Sequence, residues 1–425
     1  MKCVNSGTTR NPYETRVVIT GLGTINPIGN TVSEFWDNLA AGKSGIRLLK
    51  NFDVGDFSVK IGGEIDFPDL TSYFREKRML RRLDRFTLMA HVAGSQAIRD
   101  SGLDPEGNPP RYGVLIGSGD GGVFAHLDNI GRIVKTGMNS VSPFYIINAI
   151  PSTAAGFFAQ YFNLQGPCFS LSSACATSNH AMGLGAMLIK LGMADAIVAG
   201  GSEAALNVAG IAAFGKIQAL SERNDSPETA SRPFDKTRDG FILSEGAGAV
   251  CLEELAHAKK RGAKIYAEVS GFAFSCDAFD FVMPHPEGRG PVLAMQQALE
   301  TARLNPEDID LINAHATSTP VGDRAESRAI RQAFGDYSTR VLVHSTKSMT
   351  GHSLGAASAI EAIAAIMAFE KNIIHHTTNQ FEQDPDIQLN IVRDRPLEKK
   401  IDHVLSDAFG FGGQNAVLVL SRFKG

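Results

Sequence analysis

The sequence predicts an α/β protein built from two similar halves. Strand-like apolar runs alternate with helix-like segments along the chain, from "TRVVITGLG" to "NAVLVLSRF", which is typical of buried sheets covered by helices. A strand-turn-helix pattern around Cys175 has a counterpart in "VLVHSTKSMTGHSLGAASAIEAIAAIMAFE". Because no Pro/Gly/Ser-rich linker separates the two patterns, we predict one body with a topological boundary, with halves over residues 1–260 and 261–425.

The strands are predicted from short apolar runs that end at glycine or polar residues. In the first half these runs are "TRVVITGLG", "RYGVLIGSG", "CFSLSSA", "DAIVAGGSE" and "GAVCLEEL". The second half supplies "KIYAEVSGFAF", "IDLINAHAT", "TRVLVHSTKSMTG", "HVLSDAFGF" and "NAVLVLSRF". Around the first repeated unit we expect a strand over residues 168–174 and a helix over residues 176–193, whose small residues permit close packing.

Composition excludes several classes of protein. The chain has 425 residues and a formal charge of −4, which argues against a dedicated nucleic-acid-binding protein. No run of about 18 uninterrupted apolar residues occurs, and the N-terminal segment lacks an apolar core of signal-peptide length, so we expect neither a membrane span nor a signal peptide. The five cysteines are odd in number and lack metal-binding spacing, so we expect no disulfide framework and a location in the reducing cytoplasm. Residues 1–14 are expected to form a flexible leader.

Cys175 lies at the predicted strand-to-helix turn and is a candidate nucleophile. A helix N-terminus favours the thiolate form of a nearby cysteine, because free N–H groups and the helix dipole stabilise negative charge. The alternative is a small buried cysteine at a tight turn, and free cysteines are among the most buried residue types. The turn alone does not decide between the two interpretations.

His315 and His352 also lie at predicted strand-end turns, where α/β folds place their chemistry. Each histidine on its own would more often be structural. A neutral imidazole donates one hydrogen bond, and two such donors directed at one carbonyl oxygen stabilise an enolate. With Cys175, they suit carbon–carbon bond formation through a thioester. Nucleotide binding is disfavoured, because "GLGTIN" lacks the third glycine and "GSGDGG" lacks a downstream acidic partner.

The four segments "SSACATSNHAMGLG", "NAHATSTPVGDRAE", "STKSMTGHSLGAASAIEAI" and "AFGFGGQN" resemble, in order and context, the motifs of elongating β-ketoacyl-acyl carrier protein synthases, condensing enzymes of the thiolase superfamily. The likeness extends over nearly the whole chain. It implies the thiolase fold, in which two pseudo-repeated halves form a five-layer αβαβα arrangement. The internal repeat noted above agrees with that expectation.

The resemblance implies a role for each residue of the catalytic machinery. Cys175 matches the nucleophile that takes the acyl chain from its carrier thioester. His315 and His352 match the pair that promotes decarboxylation of malonyl-carrier protein. Lys347 matches the lysine that orients the histidine region, and Glu361 the carboxylate that supports it.

Further residues are implied to bind the substrate. Phe411 resembles the gating phenylalanine, whose backbone N–H would complete an oxyanion hole with that of Cys175. Thr317 and Thr319 resemble the hydroxyls that bind the pantetheine arm, and Phe409 is expected beside them.

The chain departs from the family at Asp120, where fatty-acid-elongating relatives commonly have an apolar residue lining the acyl pocket. An unpaired carboxylate there is costly, so we expect either a paired Asp120 or a pocket adapted to shorter, polar or polyunsaturated chains. Gln414 replaces the usual Thr or His and is expected to retune the site only locally.

A basic segment, "SYFREKRMLRRLDRF", is a candidate docking face for an acidic partner. It could equally be a solvated helix face. The resemblance assigns Arg78, Arg81 and Arg82 to docking of the acidic carrier protein.

The predicted reaction is a decarboxylative Claisen condensation that elongates fatty-acid-type chains. The alternative is a dedicated polyketide or polyene ketosynthase, which could pair with a chain-length-factor subunit. The partners implied are acyl carrier protein and a second copy of the chain, with neither nucleic acid nor membrane. No metal or resident cofactor is expected, since the phosphopantetheine arrives on the carrier.

Overall fold

A computed structural model describes residues 10–425 of the chain. Most strands join one mixed sheet, and the remaining short strands form two separate two-stranded pairs, β2 with β3 and β11 with β13. The strands are β1 (Val17–Ile25), β2 (Arg47–Leu48), β3 (Ile61–Gly62), β4 (Tyr112–Gly117), β5 (Cys168–Phe169), β6 (Ala196–Glu203), β7 (Gly246–Glu254), β8 (Ala267–Cys276), β9 (Leu311–Asn313), β10 (Leu342–His344), β11 (Ile373–Ile374), β12 (Asn390–Ile391), β13 (Leu397–Glu398), β14 (His403–Gly410) and β15 (Gln414–Arg422).

Helices connect these strands, together with short 3₁₀ turns. They are α1 (Val32–Ala40), α2 (Arg85–Ser101), α3 (Val123–Thr136), α4 (Tyr145–Ala149), α5 (Thr153–Phe162), α6 (Thr177–Lys190), α7 (Val208–Lys216), α8 (Leu255–Lys260), α9 (Arg289–Ala302), α10 (Pro320–Phe334), α11 (Lys347–Thr350) and α12 (Ala357–Lys371). Among the described residues, none of these helices has the length and apolar character needed to cross a bilayer.

The strand order shows that the two halves repeat one topology. The large sheet runs β12-β10-β9-β14-β15-β8-β1-β7-β6-β4-β5. Ranked along the chain from the middle of the sheet outward, the N-terminal strands have the order first, fifth, fourth, second, third. The C-terminal strands have the same order when the edge strand β12 is set aside. The halves meet where β1 pairs with β8 through Val18 with Glu268 and Ile19 with Ala267. The sequence-predicted repeat is therefore confirmed.

Helices cover both parts of the sheet in three layers. Helices α2 and α5 pack on the outer face of the N-terminal strands, and α9 and α10 lie on the C-terminal half. Helices α6 and α12 contact each other and strands of both halves, so they form the central layer. Every residue of α12 from Ala357 to Phe369 is buried, which explains why this helix is rich in alanine and lacks a polar face. The five-layer αβαβα arrangement is confirmed.

Two sequence predictions need correction. The strand expected over residues 168–174 ends at Phe169, because β5 pairs only with β4 at the edge of the sheet and the chain then turns toward the site. The helix expected over residues 176–193 spans Thr177–Lys190.

The predicted leader over residues 1–14 lies mostly outside the described residues. Its last part is corrected, because the Arg10 guanidinium donates hydrogen bonds to the carbonyls of Ile189 and Ala194 and pairs with Asp195. These contacts hold Arg10 against the end of α6.

Candidate active site

Cys175 lies in a tight turn between β5 and α6. A 3₁₀ turn spans Ala174–Ala176 and leads directly into the helix, and Ala174 has the left-handed φ of 48°. The Thr177 hydroxyl donates to the Ala174 carbonyl at 2.7 Å and accepts from the Ser173 N–H at 2.9 Å. These contacts fix the turn, so the buried thiol is held in one orientation toward the catalytic cavity.

The resting thiol of Cys175 is protonated. Burial raises its pKa to about 12, although Lys347 and the backbone N–H groups of Phe411 and Cys175 act to lower it. The sequence analysis expected the helix N-terminus to favour the thiolate, and that expectation is corrected because desolvation outweighs it. A protonated thiol needs a base before it can act as a nucleophile. His352 Nε2 lies 3.0 Å from the Cys175 sulfur, within reach of its proton.

The two candidate histidines come together with the cysteine. His315 follows β9, His352 follows α11, and their ring centroids are 5.4 Å apart. The potential ligand atoms of Cys175, His315 and His352 all lie within 4.8 Å of one another. Burial lowers the pKa of both histidines well below 6.5, and the positive charge of Lys347 lowers both further. Both imidazoles are therefore neutral at pH 7, as the enolate-stabilising role requires.

Two carboxyl groups beneath His315 were missed by the sequence analysis. The backbone N–H of His315 donates to Glu326 Oε1 at 2.8 Å and to Asp407 Oδ1 at 2.6 Å. The backbone N–H of Ala316 donates to Glu326 Oε2 at 2.7 Å. Burial raises the pKa of Glu326 well above its usual range and that of Asp407 to about 7. The available signal was an acidic residue inside the apolar strand "VLSDAFGF", since buried carboxyls are rare.

Lys347 and Glu361 form a buried ion pair next to the histidines. Their side chains are 1% and 2% exposed and in direct contact. Burial raises the pKa of Glu361 to about 7, and Lys347 opposes that rise. The pair holds the Lys347 ammonium close to the histidines, and its charge adds to burial in lowering their pKa values.

Two backbone N–H groups, those of Cys175 and Phe411, converge on the nucleophilic sulfur. Gly410 makes this possible, because a Cβ there would lie 2.6 Å from the Ser173 carbonyl oxygen and 3.3 Å from the Cys175 nitrogen. Gln414 Nε2 donates to the Phe411 carbonyl at 3.3 Å. The arrangement can accept the oxyanion of a tetrahedral intermediate.

A cavity of about 400 Å³ opens onto the nucleophile. Thr317, Thr319, Phe409 and Phe411 line it, together with Cys175 and both histidines. The hydroxyl oxygens of Thr317 and Thr319 are 3.1 Å apart, so they present a polar pair on an otherwise apolar wall.

The sequence analysis missed two aromatic walls of this cavity. Phe214 lies 6.3 Å from Phe411, and Phe241 lies 5.3 Å from the His352 ring, measured between ring centroids. Asp120 is not among the lining residues. It is exposed on the loop after β4, and its backbone N–H donates to Glu203 Oε1 at 3.1 Å.

The basic segment does not form a continuous helix. It contains a 3₁₀ turn over Lys77–Arg81, and α2 begins only at Arg85. Arg78 is paired with Glu76. Arg81 and Arg82 are exposed, and their guanidinium groups form no ion pair within the described part of the chain.

A buried thiol, a neutral imidazole within reach of its proton, a second imidazole and two converging backbone N–H groups suit chemistry through an enzyme-bound thioester. The beta-ketoacyl synthase N-terminal domain model matches residues 14–258, and the C-terminal domain model matches residues 266–381. The chain belongs to the β-ketoacyl synthase family. It is an acyltransferase-type enzyme with the thiolase fold.

Curated relatives match almost the whole chain. It is 46% identical to 3-oxoacyl-[acyl-carrier-protein] synthase 2 of Coxiella burnetii, covering 96% of this chain and 98% of the relative. It is 42% identical to the protein of the same name from Synechocystis sp., covering 97% of this chain and 100% of the relative.

Solved structures agree with the fold. A beta-ketoacyl synthase from Burkholderia phymatum has a TM-score of 0.90 at 34% identity, covering 96% of this chain and 100% of its own. The ishigamide ketosynthase/chain length factor has a TM-score of 0.90 at 33% identity, covering 96% of this chain and 99% of its own.

Proposed function

We propose that the protein condenses an acyl group held on Cys175 with malonyl-acyl carrier protein, giving 3-oxoacyl-acyl carrier protein and CO₂. The observation that carries this proposal is the convergence of the Cys175, His315 and His352 side chains at the wall of one cavity. The curated relatives named as 3-oxoacyl-[acyl-carrier-protein] synthase 2 favour fatty-acid elongation over a dedicated polyketide pathway.

Acyl transfer comes first. His352 Nε2 accepts the proton of Cys175, and the sulfur attacks the carbonyl carbon of the acyl-carrier thioester. The N–H groups of Cys175 and Phe411 stabilise the oxyanion. When the intermediate collapses, the carrier's pantetheine leaves as a thiol with the proton from His352, and the acyl group stays on Cys175.

Condensation follows in the same cavity. Malonyl-carrier protein loses CO₂, and its thioester carbonyl becomes an enolate whose oxygen accepts hydrogen bonds from neutral His315 and His352. The enolate carbon attacks the acyl-Cys175 carbonyl, and the sulfur leaves as a thiolate. One proton taken up from solvent through His352 then regenerates the resting thiol. Thr317 and Thr319 bind the pantetheine arm, and Phe409 and Phe411 flank the reacting carbons. No step of this scheme passes through a metal or a resident cofactor.

Intact-protein mass spectrometry tests the proposal. We expect acyl carrier proteins that carry saturated acyl chains to add one acyl mass to the wild type and none to Cys175→Ala. Adducts confined to short or polyunsaturated chains would favour the polyketide or polyene alternative. An acyl adduct that persists in Cys175→Ala would refute the nucleophile.

Asp120 is proposed to restrict long saturated chains. Desolvation raises the pKa of its carboxyl, so a chain passing near this loop would meet a costly polar group. Asp120→Ile is expected to widen the range of chains loaded onto Cys175. An unchanged chain-length preference would refute this role.

The carrier is proposed to dock on Arg78, Arg81 and Arg82. Arg81 and Arg82 line a cavity of about 360 Å³ together with Arg132 of α3. Because Glu76 already neutralises Arg78, we expect it to contribute less than the other two.

Kinetics can separate docking from chemistry. Arg81→Glu and Arg82→Glu should each raise KM for acyl-carrier protein by about tenfold, which corresponds to about 1.4 kcal/mol, and leave turnover of acyl-pantetheine unchanged. Arg331→Glu, an exposed position on α10, is the control. An equal loss of activity with acyl-carrier protein and with acyl-pantetheine would contradict a docking role for these arginines.

The second partner is proposed to be another copy of this chain. Strand β5 ends the sheet with an open edge, and exposed edges favour pairing with another strand. The adjoining face exposes large apolar side chains, which are Ile130, Val134, Met138, Phe144, Ile146, Ile147, Ile150 and Phe169. We expect the purified chain to have the mass of a dimer by light scattering. A monomer would favour a heterodimer with a chain-length-factor-like subunit.

A cytoplasmic location is also proposed. It is supported by the free state of Cys168, Cys175, Cys251 and Cys276, which suits a reducing compartment.

A further inference from the structure

Glu203 is a fully buried carboxylate at the end of β6. Removing a carboxylate from water is costly unless other groups replace the lost hydration. Glu203 is stabilised by hydrogen-bond donors, and no ion pair with a cation involves it within the described residues. A buried carboxylate of this kind can hold separate segments of the chain together, so the segments that donate hydrogen bonds to Glu203 show what it connects.

Four donors converge on the Glu203 carboxylate from two separate segments. Ser118 Oγ donates at 2.9 Å, the Gly119 N–H at 2.7 Å and the Asp120 N–H at 3.1 Å. The fourth donor is the Gly355 N–H, at 3.0 Å. Glu203 thus connects the loop after β4 in the N-terminal half to the turn after His352 in the C-terminal half.

The Gly355 peptide is held from both sides. Its carbonyl accepts a hydrogen bond from the Ser178 hydroxyl in the first turn of α6. A Cβ at Gly355 would lie only 2.6 Å from Glu203 Oε2, so the close contact needs glycine. Since Ser178 follows Cys175 by three residues and Gly355 follows His352 by three, this clamp sets the nucleophile and its base relative to each other.

The clamp is electrostatically linked to the nucleophile. The negative charge of Glu203 raises the pKa of Cys175, whereas Lys347 lowers it. Burial and the nearby charge of Asp120 together raise the pKa of Glu203 itself to about 7. On β7, Gly246 lies opposite Glu203. The residue before it, Glu245, is the other nearby carboxylate, and it is already paired with Arg85.

We propose that Glu203 is a positioning residue for the Cys175–His352 pair and that Asp120 sets the pH range over which this clamp is kept. Ionised Glu203 accepts all four hydrogen bonds. A protonated carboxyl has less acceptor capacity, so the contact to Gly355 or to the β4 loop weakens as pH falls. The inference rests on the proposed function for its catalytic meaning, and its test does not require turnover.

The test measures the rate of iodoacetamide alkylation of Cys175 against pH by peptide mass spectrometry, which separates this cysteine from the others. In the wild type we expect the rate to fall through an inflection near pH 7. Asp120→Asn keeps the size of the side chain and removes its charge, so Glu203 stays ionised to lower pH. The inflection should move down by about half a pH unit or more.

Matched variants make the result specific. Asp128→Asn, at a side chain 54% exposed on α3, should leave the profile unchanged. The pKa values of Glu361 and Asp407 also lie at about 7. Asp120 is not among the main groups that act on them, so their contribution to the pH profile should be the same in Asp120→Asn as in the wild type. Superimposable wild-type and Asp120→Asn profiles would overturn the role of Asp120.

Glu203→Gln tests the clamp itself. The amide cannot accept hydrogen bonds through its nitrogen, so we expect a folded protein in which Cys175 is alkylated at least tenfold more slowly and the inflection near pH 7 is lost. Removing the Glu203 charge would by itself lower the pKa of Cys175 and speed alkylation, so slower alkylation can come only from lost positioning. In condensation assays the relative decrease in kcat should be larger than any change in KM. If Glu203→Gln is folded and keeps the wild-type alkylation profile, the clamp is refuted. If the wild type alkylates as expected but forms no 3-oxoacyl product, the proposed function fails and the clamp stands.

Discussion

Gly410→Ala separates the two half-reactions that share the cavity. The added Cβ would lie 2.6 Å from the Ser173 carbonyl oxygen, 3.3 Å from the Ala174 Cβ and 3.3 Å from the Cys175 nitrogen. None of these atoms is the far end of a flexible side chain, so the backbone must shift. The shift separates the Phe411 N–H from the Cys175 sulfur and opens the oxyanion hole.

The size of the effect follows from the loss of one oxyanion donor. Removing such a donor lowers kcat by about 10² to 10³, or about 2.7–4 kcal/mol. We expect acyl transfer to Cys175 to slow by that factor. Decarboxylation of malonyl-carrier protein should change by less than about threefold, because its enolate faces His315 and His352 instead.

The assay follows each half-reaction separately. Rapid-quench mass spectrometry measures acyl loading of Cys175, and CO₂ release without an acyl donor measures decarboxylation. Gly156→Ala is the control, since its added Cβ meets nothing within 4 Å. Equal slowing of both half-reactions in a folded Gly410→Ala protein would refute the division of labour, and so would wild-type acyl loading.

Two further predictions concern the charges around the site. Lys347→Met leaves Glu361 buried without its partner, so the free energy of unfolding should fall by about 3–5 kcal/mol in urea titrations at pH 8. The control Lys264→Met breaks a partly exposed pair and should cost about 0–1 kcal/mol; equal losses would contradict the buried pair's importance. The decarboxylation rate should show no midpoint above pH 7.5, because the pKa of His352 lies well below 6.5 and the neutral donor persists there. A rate that declines with a midpoint above pH 7.5 would indicate a charged imidazole.

The sequence predicted the parts of the site that lie in contiguous motifs. Cys175, His315, His352 and Lys347 each follow a strand with a recognisable turn. The alternation of strand-like and helix-like runs predicted the strands of both halves of the large sheet.

The residues that the sequence analysis missed act through contacts between distant segments. Glu203 bonds to Gly355, which is 152 residues away, and Asp407 reaches the His315 N–H across 92 residues. No local periodicity encodes such pairs. The raised pKa of Cys175 was missed for the same reason, because burial depends on every element that packs around the turn.

The repeated topology explains why the site is asymmetric. In the C-terminal half, the second and third strands, β9 and β10, lead to His315 and to the turn of His352. Their counterparts in the N-terminal half are β4 and β5, which lead to the Asp120 loop and to Cys175.

Three of these four equivalent strand ends therefore supply reacting groups, and the fourth supplies the loop that Glu203 ties to Gly355. A duplicated fold needs only one nucleophile, so the remaining loop is free to serve as a support. Substitutions in this loop should consequently alter how the pair of Cys175 and His352 is held without removing a group that reacts.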